Sequence, residues 1–187
     1  MKILTISHKK EEKFLRQKTA EFDPALLKDK KRAGEINDLI KKMREAVTEA
    51  IGIGLSANQV GLNLRFFVAQ LPRNYAENNA ELRGNSLHES ALSQRKSAFY
   101  AIFNPEIIKF SEKKSIMEEG CLSVPGVYGL VERSEKITLA GYDKNAKKLK
   151  IKAFGLLSRV FQHEMDHLNG ILFIDKAVNL RKAINNK

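Results

Sequence analysis

Cysteine and long hydrophobic runs are both scarce in this sequence. Cys121 is the only cysteine among 187 residues, so an internal disulfide is excluded. In a reducing compartment its thiol could be a buried apolar group, a reactive group or a metal ligand. The apolar run at 3–6 is far shorter than a signal-peptide core, and no stretch approaches the roughly 20 residues that span a bilayer. These absences predict a soluble, cytoplasmic protein without a membrane partner.

Acidic residues are too few to balance the basic ones. The chain has 33 Lys and Arg against 22 Asp and Glu, a formal net charge of +11. Such a surface serves solubility and can also attract a polyanion. No RNA-binding aromatic signature accompanies the lysines. We therefore expect that nucleic acid is not a substrate. The basic surface, including the C-terminal "NLRKAINNK", could instead contact the ribosome.

The length and the apolar content bound the architecture. A chain of 187 residues with 43% apolar residues can bury one core. No internal repeat and no change of composition marks a linker. We expect a single domain over residues 1–187, with a polar surface loop at about 73–97 that is rich in asparagine and serine.

Apolar periodicity predicts an α+β fold. Apolar residues at three- and four-residue steps predict an amphipathic helix over 33–51 that is ended by Gly52. Short β-branched and aromatic runs predict strands at 64–69, 99–103, 127–131, 137–142 and 150–154. Helical spacing returns at Gly155 and stops at Asn169 and Gly170. Several strands in series favour antiparallel sheets, packed around this late, largely buried helix.

The late helix carries the segment "FQHEMDH". On a helix, His163 and His167 point the same way one turn apart and can bind one metal ion, while Glu164 lies beside that ion. In this arrangement the glutamate takes a proton from a water molecule that attacks a carbonyl. The alternative is that both histidines are ordinary helix residues satisfied by hydrogen bonds.

A catalytic site of this kind needs three protein ligands and an open position. After His167 the chain has no further His or Glu and only Asp175 as an acidic residue. Upstream, Cys121 lies in "EEGCLSVPG", and its soft sulfur would suit Zn²⁺ or Fe²⁺ better than Mg²⁺ or Ca²⁺. Cys121 is thus a candidate third ligand, with a small buried apolar side chain as the alternative.

Three segments together make the sequence similar to the peptide deformylases. They are "GIGLSANQVG" at 52–61, "EEGCLSVPG" at 118–126 and "QHEMDHLNG" at 162–170, in the order found in that family. The resemblance implies an enzyme that removes the N-formyl group from the initiator methionine of nascent polypeptides and releases formate. Ser56 stands where the family usually has Ala, a change that removes no catalytic atom.

The resemblance also implies a role for each matching residue. Cys121, His163 and His167 would bind a divalent metal ion, Fe²⁺ by preference, with Zn²⁺, Ni²⁺ or Co²⁺ able to substitute. Glu164 would be the general base and acid. The formyl oxygen would be bound by the Gln59 side chain and the Leu122 backbone N–H, and the substrate amide by the Gly54 backbone. Gly52 and Gly54 would allow close backbone approach, and the methionine side chain would enter an apolar pocket lined by Ile53, Leu156 and Val160.

Two other functions compete with this one. The first is an H-E-x-x-H metallopeptidase, which would be expected to have its third ligand downstream of the helix. The second is a deformylase-like metal-binding protein without turnover. The presence of Glu164 and Gln59, neither of which is a metal ligand, argues against a purely structural site.

Overall fold

The computed structural model describes residues 1–71 and 98–183. The predicted polar loop at about 73–97 lies outside the described residues. The α-helices of the described part are α1 (Lys9–Leu15), α2 (Lys30–Glu49) and α3 (Gly155–Leu168). Its strands are β1 (Gly54–Ser56), β2 (Phe66–Gln70), β3 (Phe99–Phe110), β4 (Lys114–Cys121), β5 (Val124–Ser134), β6 (Lys136–Tyr142), β7 (Lys148–Phe154) and β8 (Val178–Lys182).

The strands form two antiparallel sheets. One has five strands in the order β1-β2-β3-β6-β7, and the other has three in the order β4-β5-β8. The predicted α+β class with antiparallel sheets is confirmed. The predicted strands are present but β3 and β5 are longer than expected, and α1, β1, β4 and β8 are elements that the sequence patterns did not predict.

Strand β2 lies between two helices, which explains its continuous apolar sequence. Phe67 and Ala69 pack in the core that contains the apolar face of α3. Phe66 and Val68 point to the opposite face, where the apolar residues of α2 cover them. Both faces of this strand are therefore buried, so an alternating pattern is not required.

Helix α3 packs against strands of both sheets and is largely buried. Its apolar side chains Leu157, Val160, Phe161 and Met165 belong to the core of the five-stranded sheet. Its buried polar side chains include Arg159 and Asp166, which contact Arg133 or Glu119 of the smaller sheet's strands. The helix that carries the HEMDH segment thus lies between the two sheets.

Helix α2 ends differently from the prediction. Its last helical residue is Glu49, and Ile51 adopts a left-handed conformation with φ of 53°. The N–H of Gly52 donates to Val47 O at 2.8 Å, and that of Ile51 to Thr48 O at 3.2 Å. These are the two hydrogen bonds of a Schellman motif, with isoleucine at the position that usually holds glycine.

The described helices include no segment whose length and apolar character would let it span a membrane.

Candidate metal and catalytic site

Two distant segments bring the candidate metal ligands together. Cys121 is the last residue of β4, and His163 and His167 lie one turn apart on α3. Their ligand atoms all lie within 4.8 Å of one another. Cys121 Sγ is 3.1 Å from His167 Nε2, and the two imidazole rings are 4.9 Å apart between centroids.

The chemistry of this group fits a divalent metal ion. An ion of the zinc type lies about 2.0–2.3 Å from nitrogen and sulfur donors, so one ion can be shared by three donors grouped this closely. One thiolate and two neutral imidazoles favour Zn²⁺ or Fe²⁺ over the hard cations Mg²⁺ and Ca²⁺. Among the residues that the structure describes, these three can hold the ion, and none of them lies downstream of α3.

A buried carboxylate fixes the orientation of His163. The Nδ1 atom of His163 lies 3.0 Å from Oε2 of Glu119. Because an ionised carboxylate can only accept hydrogen bonds, Nδ1 is the donor, and Nε2 of His163 remains free to bind a metal ion. Glu119 also accepts from Arg133 at 2.7 and 2.8 Å and from Arg159 at 2.7 Å. Such second contacts set the tautomer and direction of metal-binding histidines.

The charges around the cluster lower the pKa values of Glu119 and Cys121, and against the effect of burial the contacts with Cys121 and Glu119 raise the pKa of His163 to about 10, so metal binding there has to displace a proton. Burial alone would raise the pKa of Glu119, but its contacts with Arg133 and His163 hold that pKa well below its ordinary range. Burial likewise works against the thiolate of Cys121, yet the two histidines place the pKa of the thiol well below its usual value. A lowered pKa favours the thiolate, which is the form of cysteine that binds metals.

Glu164 is a buried carboxylate next to the donor cluster. It is 3% exposed, and burial raises its pKa above the ordinary value of a glutamate. Ser56 Oγ donates to its Oε2 at 2.6 Å. Gly54 leaves the space that this carboxylate occupies, because a Cβ at Gly54 would lie 2.8 Å from Glu164 Cδ and closer still to Oε1.

Gln59 is oriented by the backbone of the same segment. The Ser56 N–H donates to Gln59 Oε1 at 2.8 Å. The amide nitrogen of Gln59 consequently faces the metal-ligand side, 3.6 Å from Cys121 Sγ and 3.1 Å from Ser123 Oγ. Gln59 thus presents a hydrogen-bond donor, not an acceptor, to the site.

A cleft of about 470 Å³ opens over these groups. Most of the site residues named from the sequence line it: Gly52, Ile53, Gly54, Gln59, Cys121, Leu122, Leu156, Val160, His163 and Glu164. His167 is not on the cleft wall and is only 1% exposed. Val160 is also a core residue at 3% exposure, whereas Ile53 and Leu156 are half-buried at the edge of the same core.

The sequence patterns missed Glu119, Arg133, Arg159 and the hydroxyl of Ser56. The one signal for Glu119 would be strand alternation, because residues two apart on a strand share a face and Glu119 is two residues before Cys121. That signal requires β4 to be recognised as a strand. Arg133 and Arg159 are brought to Glu119 only by the packing of β5 and α3 against β4.

Comparison with known proteins decides the family. The family model described as Polypeptide deformylase matches residues 1–183. This chain belongs to the polypeptide deformylase family. A peptide deformylase of Halothermothrix orenii is 43% identical over 162 residues, which are 84% of this chain and 90% of that protein.

Solved structures of the family have the same fold. A probable peptide deformylase from Synechococcus phage S-SSM7 has a TM-score of 0.71 and 36% identity, covering 94% of this chain and 99% of that one. A peptide deformylase from Acinetobacter baumannii, solved bound to Met-Ala-Ser, has a TM-score of 0.73 and 26% identity, covering 94% and 97%. Neither the metallopeptidase nor the protein without turnover is favoured by these relatives.

Proposed function

We propose that this chain is a metal-dependent hydrolase that removes the N-formyl group from the initiator methionine of nascent polypeptides, with formate as the second product. The observation that carries the proposal is the grouping of the donors Cys121, His163 and His167 beside a cleft that Cys121, His163 and the carboxylate of Glu164 line. Family membership supports it. So does the relative bound to Met-Ala-Ser, a peptide that begins with methionine.

The three donors would hold one divalent ion, Fe²⁺ by preference, with Zn²⁺, Ni²⁺ or Co²⁺ able to replace it. A thiolate ligand supports this choice because sulfur binds these ions better than hard cations. When bound, the ion supplies a Lewis acid that polarises the formyl oxygen and makes a water molecule more acidic. If Fe²⁺ is the native ion, exposure to air should inactivate that form faster than the Ni²⁺ form, which activity measured over time in air would check.

Glu164 would move the proton in this reaction. Its raised pKa supports a group that accepts a proton from the attacking water and later returns it to the leaving amine. Its burial excludes bulk water from the carboxylate. Its position one residue after His163 places it beside the ligands but outside the group of donors.

The formyl oxygen would be bound by the amide nitrogen of Gln59 and the backbone N–H of Leu122. The contact from the Ser56 N–H to Gln59 Oε1 supports this assignment, since it turns the donor end of the amide inward. One such donor contributes about 3 kcal/mol to stabilising a transition-state oxyanion. Gly54 lies on β1, the edge strand of its sheet, where backbone groups can bind the amide of an extended substrate.

The methionine side chain of the substrate would enter the apolar part of the cleft. Ile53, Leu156 and Val160 line this part and are continuous with the core around α3. Gly52 would allow the Leu122 side chain to approach the backbone closely, because a Cβ at Gly52 would be 3.2 Å from Leu122 Cδ1. Pocket walls that are part of a packed core are rigid and select a side chain by its size.

Replacement of Glu164 by Gln tests the function. The change keeps the size of the side chain and removes its basic carboxylate. We expect kcat/KM for formate release from formyl-Met-Ala-Ser to fall by about 10² to 10⁴, chiefly in kcat, with metal content unchanged. The matched control is Glu132→Gln, an exposed glutamate of β5 that pairs with Lys114 at 2.8 Å. Wild-type turnover by metal-loaded Glu164→Gln would refute the proposed role.

We also infer that the whole chain is one catalytic domain and that it works in the cytoplasm or an organelle.

We further propose that the protein contacts the ribosome through its basic surface. Lys148, Lys150 and Lys152 are exposed and alternate along β7, so they share one face of the strand. Attraction of this kind weakens steeply with salt. Co-sedimentation with ribosomes at about 50 mM salt that is lost when all three lysines become glutamine would support the contact, and no binding of the wild type would discard it.

A further inference from the structure

We infer that Ser56 is a positioning residue for Glu164, an inference that rests on the deformylase activity proposed above. Ser56 is the last residue of β1 and is 0% exposed. Its Oγ lies 2.6 Å from Glu164 Oε2 and 3.1 Å from the backbone oxygen of Glu164. A hydroxyl has one hydrogen, and the shorter contact to the ionised carboxylate is the stronger of the two.

The geometry of β1 gives the carboxylate of Glu164 two neighbours on one face. Residues 54 and 56 lie on the same face of the strand, because side chains alternate along it. At position 54 any side chain would occupy the place of the carboxylate. At position 56 a short side chain reaches Oε2 with a donor. The strand therefore makes room for the carboxylate at one residue and anchors one of its oxygens at the other.

Ser56 also holds Gln59, but through a different group. Its backbone N–H donates to Gln59 Oε1, whereas its hydroxyl donates to Glu164. Replacement of the side chain by that of alanine removes the second contact and leaves the first. Ser56→Ala thus isolates the positioning of Glu164 from the orientation of Gln59.

The test compares kcat, KM and metal content in matched variants. We expect Ser56→Ala to lower kcat for formate release about tenfold, as for the loss of one hydrogen bond to a charged group. KM and metal content should stay near wild type. The control is Ser158→Ala: this hydroxyl is also 0% exposed and donates 2.8 Å to Ser134 O, away from Glu164, so its removal should leave kcat unchanged.

A double-mutant cycle separates positioning from a general structural role. In the Glu164→Gln background there is no basic carboxylate to position, so Ser56→Ala should change the residual rate by less than about twofold. An equal loss in both backgrounds would overturn the inference. A crystal structure of Ser56→Ala supplies a readout other than activity: we expect the Glu164 carboxylate to leave its wild-type position, and an unmoved carboxylate would count against the inference.

The outcomes distinguish this inference from the function on which it rests. If the metal-loaded wild type releases no formate, the proposed function fails. If the wild type is active and Ser56→Ala equals it, only the positioning role fails. Should Ser56→Ala lose metal or fold poorly, Ser56→Cys keeps a side chain of similar shape with a weaker donor. Its kcat should lie below wild type, and wild-type kcat would again overturn the inference.

Discussion

The carboxylate of Glu119 offers a substitution whose effect follows directly from its hydrogen bonds. Oε1 accepts from Arg133 Nε and Arg159 Nη1, and Oε2 accepts from Arg133 Nη2 and His163 Nδ1. Glu119→Gln keeps the shape but replaces one oxygen by an NH₂ group. In either orientation that NH₂ group faces two donors, so two of the four contacts are lost in both.

The magnitude follows from the burial of the partners. The side chains of Arg133 and Arg159 are 3% and 5% exposed, so both guanidinium groups would keep their charge with little water nearby. Removal of one partner from a buried ion pair costs about 3–5 kcal/mol. Asp166 still pairs with Arg133 at 2.7 Å, which favours the lower end of that range. At about 2–4 °C per kcal/mol for a chain of this size, Tm should fall by about 6–12 °C.

Thermal denaturation followed by circular dichroism, on the metal-loaded protein, measures this effect. The matched control is Glu118→Gln, because Glu118 is the preceding residue and binds Arg181 with two contacts of 2.7 Å on the surface, where its side chain is 43% exposed. Its Tm should hardly change, since exposed pairs contribute little. Competition with a chelator should also show that Glu119→Gln binds the metal ion about 10- to 100-fold more weakly than the wild type, whereas Glu118→Gln keeps wild-type affinity. Equal Tm values for the two variants would refute the reasoning.

Three further predictions test other parts of the site. Gly54→Ala should lower kcat by about 10²-fold with metal retained, because the new Cβ displaces the Glu164 carboxylate, and wild-type kinetics would contradict this. Ile51→Gly should raise Tm by about 2 °C, because the backbone of Ile51 is left-handed and glycine adopts that conformation without strain. The side chain is 94% exposed, so little packing is lost, and a lower Tm would contradict the prediction. Cys121→Ser should lose most metal, measured by elemental analysis, because a hydroxyl is a poorer donor than a thiolate, and full occupancy would exclude Cys121 as a ligand.

The sequence predicted the parts of the fold whose signals are local. Helix α3 has apolar residues at helical spacing, and the direction of His163 and His167 follows from four residues of helix geometry. Strands β6 and β7 alternate in burial as the period of a strand requires, with Leu139 and Ala153 inside. In these elements, the residues that form the pattern also form the core.

Strands β4 and β8 were missed because neither has an apolar inner face. On the inward side of β4, Ser115 binds Arg159 and Glu119 binds the charge network. Of the residues of β4, only Cys121 packs against an apolar core. Every residue of β8 is exposed. Strand prediction depends on alternating hydrophobicity, and that alternation is absent where the buried face is polar or where there is no buried face.

Because β4 has no apolar inner face that would mark it as a strand, Glu119 could not be distinguished from Glu118 in the sequence. Both are glutamates before the same cysteine, yet one is 8% exposed and the other lies on the surface. The difference comes from Arg133 and Arg159, which reach Glu119 from β5 and α3. These guanidinium groups are matched by Glu119 and Asp166, so the buried charges balance only when three elements are packed. The candidate ligands of this site are therefore visible in short motifs, whereas the ion pairs that orient them exist only in the folded chain, because each partner alone would be driven to the surface by the cost of burying a charge.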